Sequence, residues 1–195
     1  GRLMEFITFN VPSPTEALHA KTLVSGEKIT FNEAAPTTLF VFKTANETHV
    51  GNIVYMKVMS GELAEGMDVV NSTNEGKERI AQIFVNSGKT RTKIEKAAAG
   101  DIISTIKLKD VSTNDTLTST KNIGDKLNEI KFPEPIYTTA IKAVDSADDE
   151  KLGMVLNEYA SNDCSLKVEI ARELKQTIIS AMGEYHVNTL KWYLD

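Results

Sequence analysis

Apolar positions along this chain follow two rhythms in turn. Leu3, Phe6 and Ile7 recur at helical spacing, and Pro12-Ser13-Pro14 stops that pattern. The start therefore predicts the tail of a helix followed by a linker. Residues up to about 36 are polar and turn-rich, with one short strand predicted at 28–31. From 37 to about 120 the rhythm is β throughout. Strands are predicted over 39–43, 52–58, 68–72, 79–85, 102–108 and 116–119, rich in Val, Ile, Phe and Thr. Turns carrying Gly51, Gly61, Gly66, Gly76, Gly88 and Gly100 separate them. That spacing predicts a small antiparallel barrel or sandwich and argues against βαβ units.

At Phe132-Pro133-Glu134-Pro135 the rhythm changes. A strand is predicted over 136–143. Ser146-Ala147-Asp148-Asp149 then reads as a helix start, with Ser146 as cap and acid in the first turn. Leu152, Val155, Leu156 and Tyr159 form an i, i+3, i+4, i+7 stripe, and Asn162-Asp163 ends it. Strands over 165–170 and 176–180 follow, then a helix from about Gly183 that carries Val187, Leu190 and Leu194 on one side. The order β-α-β-β-α is a ferredoxin-like split β-α-β fold short of its last strand. The expected organisation is a linker or the tail of an upstream domain over 1–20, a β-barrel over 21–125, and an α+β domain over 126–195 truncated at its C-terminus. The Gly1-Arg2 start reads as a cut, so the sequence is expected to be a piece of a longer protein.

The chain has 195 residues, 41% hydrophobic and 25% charged, which is ordinary globular composition with length for two domains. The longest apolar runs are as short as Leu39-Phe40-Val41-Phe42, so no membrane span is predicted. A single cysteine, Cys164, excludes an internal disulfide framework and fits a reducing, cytoplasmic setting. The formal charge of −5 argues against a nucleic-acid partner, but its distribution qualifies that argument. Residues 74–109 hold eight basic and four acidic side chains, whereas residues 126–195 hold eight basic and twelve acidic ones. A local basic surface on an acidic protein can still bind phosphate.

Ser87-Gly88-Lys89-Thr90 resembles the end of a phosphate-binding loop. The full motif needs a glycine where Ile83 stands and a helix directly afterwards, so a basic β-turn is the better reading. His19, His49 and His186 lie far apart, without metal-ligand spacing. Asp148-Asp149-Glu150 fits a helix's first turn and its dipole. No catalytic or metal residues are assigned. The basic run Lys77, Arg79, Lys89, Arg91, Lys93 and Lys96 allows two readings: a solvated barrel face, or RNA-phosphate contacts from a rigid scaffold. Few aromatics interleave with these charges in sequence, so contact with the backbone of folded RNA is expected over base stacking.

Ser60-Gly61-Glu62-Leu63-Ala64-Glu65-Gly66, Gly76-Lys77-Glu78-Arg79-Ile80, Ala99-Gly100-Asp101-Ile102 and Asp115-Thr116-Leu117 resemble the second domain of translational GTPases. Phe132-Pro133-Glu134-Pro135, Glu150-Lys151-Leu152 and the block from Gln176 through Gly183-Glu184-Tyr185-His186 are similar to the third domain of elongation factor G. The likeness runs from about Pro12 to the end. It implies domains II and III of an elongation-factor-G-like protein that promotes tRNA and mRNA translocation, the β-barrel being the anchor and the α+β domain the lever. GTP and magnesium would belong to a GTPase domain outside this region, and no cofactor is expected here. The implied partners are the ribosome, through small-subunit RNA and proteins, and the parent's own GTPase domain; no membrane partner is implied. The resemblance gives Lys77 and Arg79 a role in ribosomal RNA phosphate contact by position, with Lys89 and Arg91 added on charge. It places His186 and Asp163 on the side of an interdomain, fusidane-antibiotic pocket, where a half-buried histidine capping an interface is the competing reading. Ala181 and Tyr185 stand where the family usually has Gly and Leu, and Asn114 where it often has Gly. These departures keep open a paralogue such as a ribosomal protection or ribosome-remodelling factor.

Overall fold

The computed structural model describes residues 1–16, 21–47, 50–119, 126–145, 148–171 and 176–194. His19, His49, Ser146 with its predicted capping role, and the 172–175 turn lie outside them. The chain divides into two compact units, Gly1–Ile130 and Lys131–Asp195.

In the first unit, helix α1 (Arg2–Asn10) buries no residue and ends where Val11 turns extended, just before Pro12. A 3-10 turn, Pro14–Glu16, leads to the antiparallel pair β1 (Lys21–Thr22) and β2 (Lys28–Ile29). The long strands β3 (Thr38–Glu47) and β4 (Gly51–Ser60) form the central hairpin. The remaining strands are β5 (Glu62–Ala64), β6 (Asp68–Asn71), β7 (Lys77–Arg79), β8 (Ile83–Ser87), β9 (Thr90–Ile94), β10 (Lys96–Ala98), β11 (Ile102–Ile106) and β12 (Thr116–Thr118). Eight of these strands make one sheet in the order β7-β6-β12-β3-β4-β11-β8-β9.

Two bends bring the sheet's ends together. The strand β4 runs into β5 at Gly61, whose φ of +74° is open to glycine; a Cβ there would lie 2.6 Å from the Thr37 Cα. β9 runs into β10, and β10 pairs with β5. The Glu65 N–H donates to the Glu95 carbonyl at 2.9 Å and the Gly66 N–H to the Ile80 carbonyl at 2.7 Å. These bonds use edge groups that an open sheet leaves unpaired, which is the advantage of a barrel. Inward alternation on β4 places Val54, Met56 and Val58 in a core with Leu39, Ile103 and Leu117. A second, smaller cluster of Leu23, Phe40, Met59 and Leu127 covers part of the outer surface.

The structure adjusts several predicted boundaries. The strand expected at 79–85 is two strands, β7 and β8, interrupted at buried Ile80. β11 stops at Ile106 because Lys107 adopts φ of +66° and cannot continue the ladder. β5, β9 and β10 escape a hydrophobicity reading because they are short or, like Thr90–Ile94, mostly polar. The two compact units meet between Ile130 and Lys131. Leu127 is buried beside Leu23 and its N–H donates to the Thr116 Oγ1 at 3.0 Å, while the Ile130 N–H donates to the Asn114 Oδ1 at 2.8 Å. Those bonds tie 126–130 to the barrel.

The second unit runs β13 (Tyr137–Ile141), α2 (Asp149–Asn162), β14 (Lys167–Ala171), β15 (Gln176–Ala181) and α3 (Glu184–Leu194). Its sheet is antiparallel in the order β13-β15-β14. Leu156 of α2, Ile179 and Ala181 of β15, and Val187 and Leu190 of α3 form its core with Leu166. The folds are thus an antiparallel β-barrel-like unit followed by a split β-α-β unit.

Candidate nucleic-acid interface and a carboxylate-histidine pair

β7 is the terminal strand of the eight-stranded sheet, and alternation sends Lys77 and Arg79 to solvent on one side. Glu78, between them, turns the other way and accepts the N–H groups of Lys109 and Asp110 at 3.2 and 3.0 Å. This clamp holds β7 against the loop after β11, so the two cations sit on fixed backbone. Arg79 Nε lies 4.0 Å from the Asp68 carboxylate with both side chains largely exposed, a contact worth little in water. Lys77 makes no ion pair among the described residues. Both groups therefore stay available to an incoming phosphate.

Lys89 occupies the tip of the β8–β9 hairpin, beside Gly88 with φ of +59°. No helix follows Ser87-Gly88-Lys89-Thr90, so this turn lacks the amide cradle of a nucleotide site. Arg91 differs from Lys89. Its guanidinium is hydrogen-bonded to Glu47, which raises it above its ordinary range, and the Tyr55 side chain also lies against it. Lys93 is paired with Glu65 at 2.8 Å and Lys96 with Glu62 at 2.6 Å. Of the four cations named from the sequence, Lys77 and Arg79 share one strand, Lys89 is on a hairpin tip, and Arg91 is already engaged. β7 and β9 are the terminal strands of a sheet whose ends the β5–β10 pairing brings together, and with Arg91 held by Glu47 the accessible cations of the four are Lys77, Arg79 and Lys89.

The outer barrel surface gathers cations and rings that are scattered in sequence. Lys43, Tyr55, Ser104, Phe84 and Lys93 are successive partners across β3, β4, β11, β8 and β9. A register shift between Val41 and Lys43 sets Lys43, not Phe42, opposite Tyr55. The absence of interleaved aromatics in the linear sequence is thus reversed by strand pairing. Only the register carries that signal.

In the second unit Asp163 follows the last residue of α2, and His186 stands in the first turn of α3. The His186 Nε2 lies 3.1 Å from the Asp163 Oδ2, and both side chains are half-buried. The Met182 N–H points at the His186 Nδ1 at 3.4 Å. A ring that accepts at Nδ1 carries its proton on Nε2, where it donates to Asp163. The other carboxylate oxygen accepts the Ser165 N–H at 2.9 Å and its hydroxyl at 2.6 Å. Burial works to raise the Asp163 carboxyl, but the Ser165 hydroxyl and amide and His186 overcome it, leaving the group below its ordinary value of 3.8. The serine hydroxyl faces the carboxylate and not the imidazole, so the trio is no nucleophile-base pair. It is a fastening between the end of α2 and the start of α3. Among the described residues no group of three or more His, Cys, Asp or Glu could hold a metal, and no helix is long and apolar enough to cross a membrane.

Comparison with known proteins gives two family matches. Residues 36–120 match elongation factor G domain 2, and residues 132–195 match elongation factor G domain III. A crystal structure of a protein from Thermus thermophilus superposes with a TM-score of 0.76 over 96% of this chain at 24% identity. That likeness supports the fold, and the chain spans 26% of that protein's length.

Proposed function

The chain belongs to the elongation factor G family, of which it carries domains 2 and III, and from that premise we propose that it is the ribosome-anchoring and lever region of a translocation factor. The barrel rests on small-subunit ribosomal RNA through Lys77 and Arg79, and the split β-α-β unit passes on the nucleotide state of a GTPase domain that lies elsewhere in the parent. GTP and magnesium act in that other domain. The turn at Ser87-Gly88-Lys89-Thr90 does not fit them, since a hairpin strand follows where a helix N-terminus is required. Lys89 is a further phosphate contact at its hairpin tip. Arg91 is left to Glu47 and serves the barrel wall.

The observation that carries this reading is the pair of family matches in order, together with two accessible cations on a clamped edge strand. Phosphate recognition needs charge held in place more than it needs a pocket, and β7 supplies that arrangement. The Asp163–His186 fastening suits a lever, because it joins the end of one helix to the start of another. His186 sits on the interdomain, antibiotic-binding side of the domain in this proposal. The test is sedimentation of the chain with isolated ribosomal subunits. Co-pelleting with the small subunit, and markedly less with the large one, is expected. Failure to pellet with small subunits at low salt would overturn the anchoring role.

A further inference from the structure

The outer row on the barrel uses other side chains than the Lys77 and Arg79 contact. Inward neighbours of its members, Val54, Met56, Ile83 and Ile103, are buried in the barrel core, so Lys43, Tyr55, Ser104, Phe84 and Lys93 share the outward face. The Lys43 ammonium lies 6.0 Å from the Tyr55 ring centroid. Two residues along β4, Lys57 stands on the same face opposite Ile102, its ammonium 4.9 Å from the Phe31 ring centroid. At the centre, the Ser104 hydroxyl lies 3.1 Å from the Asn86 Oδ1 and is covered, so the surface is a packed platform and not a cleft.

The charges on this face are unbalanced. Among the described residues Lys43, Lys57, Arg91 and Lys93 have ion pairs with Glu47 and Glu65 alone, and Lys89 extends from the adjoining hairpin tip. Lys43 and Lys57 make no ion pair among the described residues. On a chain of net charge −5 this local excess complements a polyanion. The rings narrow the choice of polyanion. Tyr55 and Phe84 are half-buried and one strand apart, about 10 Å by sheet spacing, with Lys43 beyond one and Lys93 beyond the other. A strip of cation, ring, ring, cation matches a single nucleic-acid strand, whose phosphates find the ammonium groups while its bases find π faces. A duplex hides its bases from such rings.

We infer that the outer face of β3, β4, β11, β8 and β9 binds single-stranded RNA, with Lys43, Lys57 and Lys93 on phosphates and Tyr55 and Phe84 beneath bases. The site uses other side chains than the β7 pair, so separate variants test it and the anchoring role. The experiment is fluorescence anisotropy of a fluorescein-labelled twelve-nucleotide single-stranded RNA of mixed sequence, with a duplex RNA of equal length and heparin as comparators. The single strand binds more tightly than the duplex. Tyr55→Leu weakens it about fivefold or more while Tyr55→Phe, which keeps the ring, does not. Lys43→Ala with Lys57→Ala weakens it and flattens its salt dependence by about 1.4 in log–log slope. Lys77→Ala with Arg79→Ala weakens it less than the Lys43→Ala, Lys57→Ala pair does, and thermal melts confirm that each variant folds. No binding by the unsubstituted chain, equal binding of duplex, or a Tyr55→Leu variant that melts normally and binds normally would each overturn the inference. So would heparin competition that responds to the lysines alone, because that describes a general polyanion surface.

Discussion

At the scale of single residues, the Asp163 carboxylate is the group whose surroundings say most. It accepts from the Ser165 amide and hydroxyl and faces His186, and together these outweigh the burial that would raise it. A carboxyl whose folded value is depressed contributes stability above its unfolded value, and that contribution is lost as pH falls through the folded value. Acidification from pH 5 toward pH 2 is therefore expected to lower the urea midpoint of the 131–195 unit, partly through this group. Asp163→Asn should cost about 1–3 kcal/mol at pH 7 and reduce that acid dependence, which paired denaturation curves at pH 7 and pH 3 would reveal. Equal acid sensitivity in the two proteins would remove Asp163 as a contributor. Residue-scale geometry also sorts the basic side chains that composition treats alike. Lys77 and Arg79 are free for phosphate, whereas Arg91 is held by Glu47. Lys77→Ala should thus weaken RNA contact more than Arg91→Ala does. Arg91→Ala instead leaves Glu47 without its guanidinium at the barrel wall, and a melting curve is where its effect should appear.

At the scale of elements, the barrel depends on one backbone turn. Gly61 joins β4 to β5 in the left-handed region, and a side chain there would strike Thr37 backbone atoms at 2.6 and 2.7 Å and the Ala35 carbonyl at 2.7 Å. Gly61→Ala is expected to destabilise the barrel by about 2 kcal/mol or more, because conformational strain and steric clash act together. Chemical denaturation followed by circular dichroism, with hydrogen exchange on β4 and β5, would test it. In the second unit, Ile179 is fully buried between α2 and α3, and Ile179→Ala should cost about 2–5 kcal/mol. Elements with an apolar period were legible in sequence: β3, β4, β13, β15 and both helices of the second unit stand close to where alternation and the 3.6-residue stripe put them. The polar or short strands β5, β9 and β10 were not, since nothing in Thr-Arg-Thr-Lys-Ile reveals that its partner is β8. The candidate site divides in the same way. Lys77 and Arg79 were named from a resemblance to a linear motif, and the resemblance set His186 and Asp163 on one side, whereas their contact shows only in the fold. The Lys43–Tyr55–Phe84–Lys93 row could not be named, because it exists only once five strands find their register.

At the scale of the whole molecule, each unit has its own buried cluster, and the charge is distributed unevenly between their sequences. If the proposed anchoring holds, an acidic chain with localised cations meets its RNA through a small part of its surface, so its binding should respond to salt as a few phosphate contacts and not as a broad basic coat. The two matched domains supply the expectation that the target is ribosomal, and the proposed contact is β7. The most direct test is a salt titration of the chain's affinity for isolated small ribosomal subunits, set beside the Lys77→Ala, Arg79→Ala double variant. The anchoring account predicts weaker binding for the variant at every salt concentration and a log–log salt slope shallower by about 1.4–1.8, the share of two lost phosphate contacts. An unchanged affinity and an unchanged slope in a variant that melts like the unsubstituted chain would contradict it, and would take β7 out of the interface.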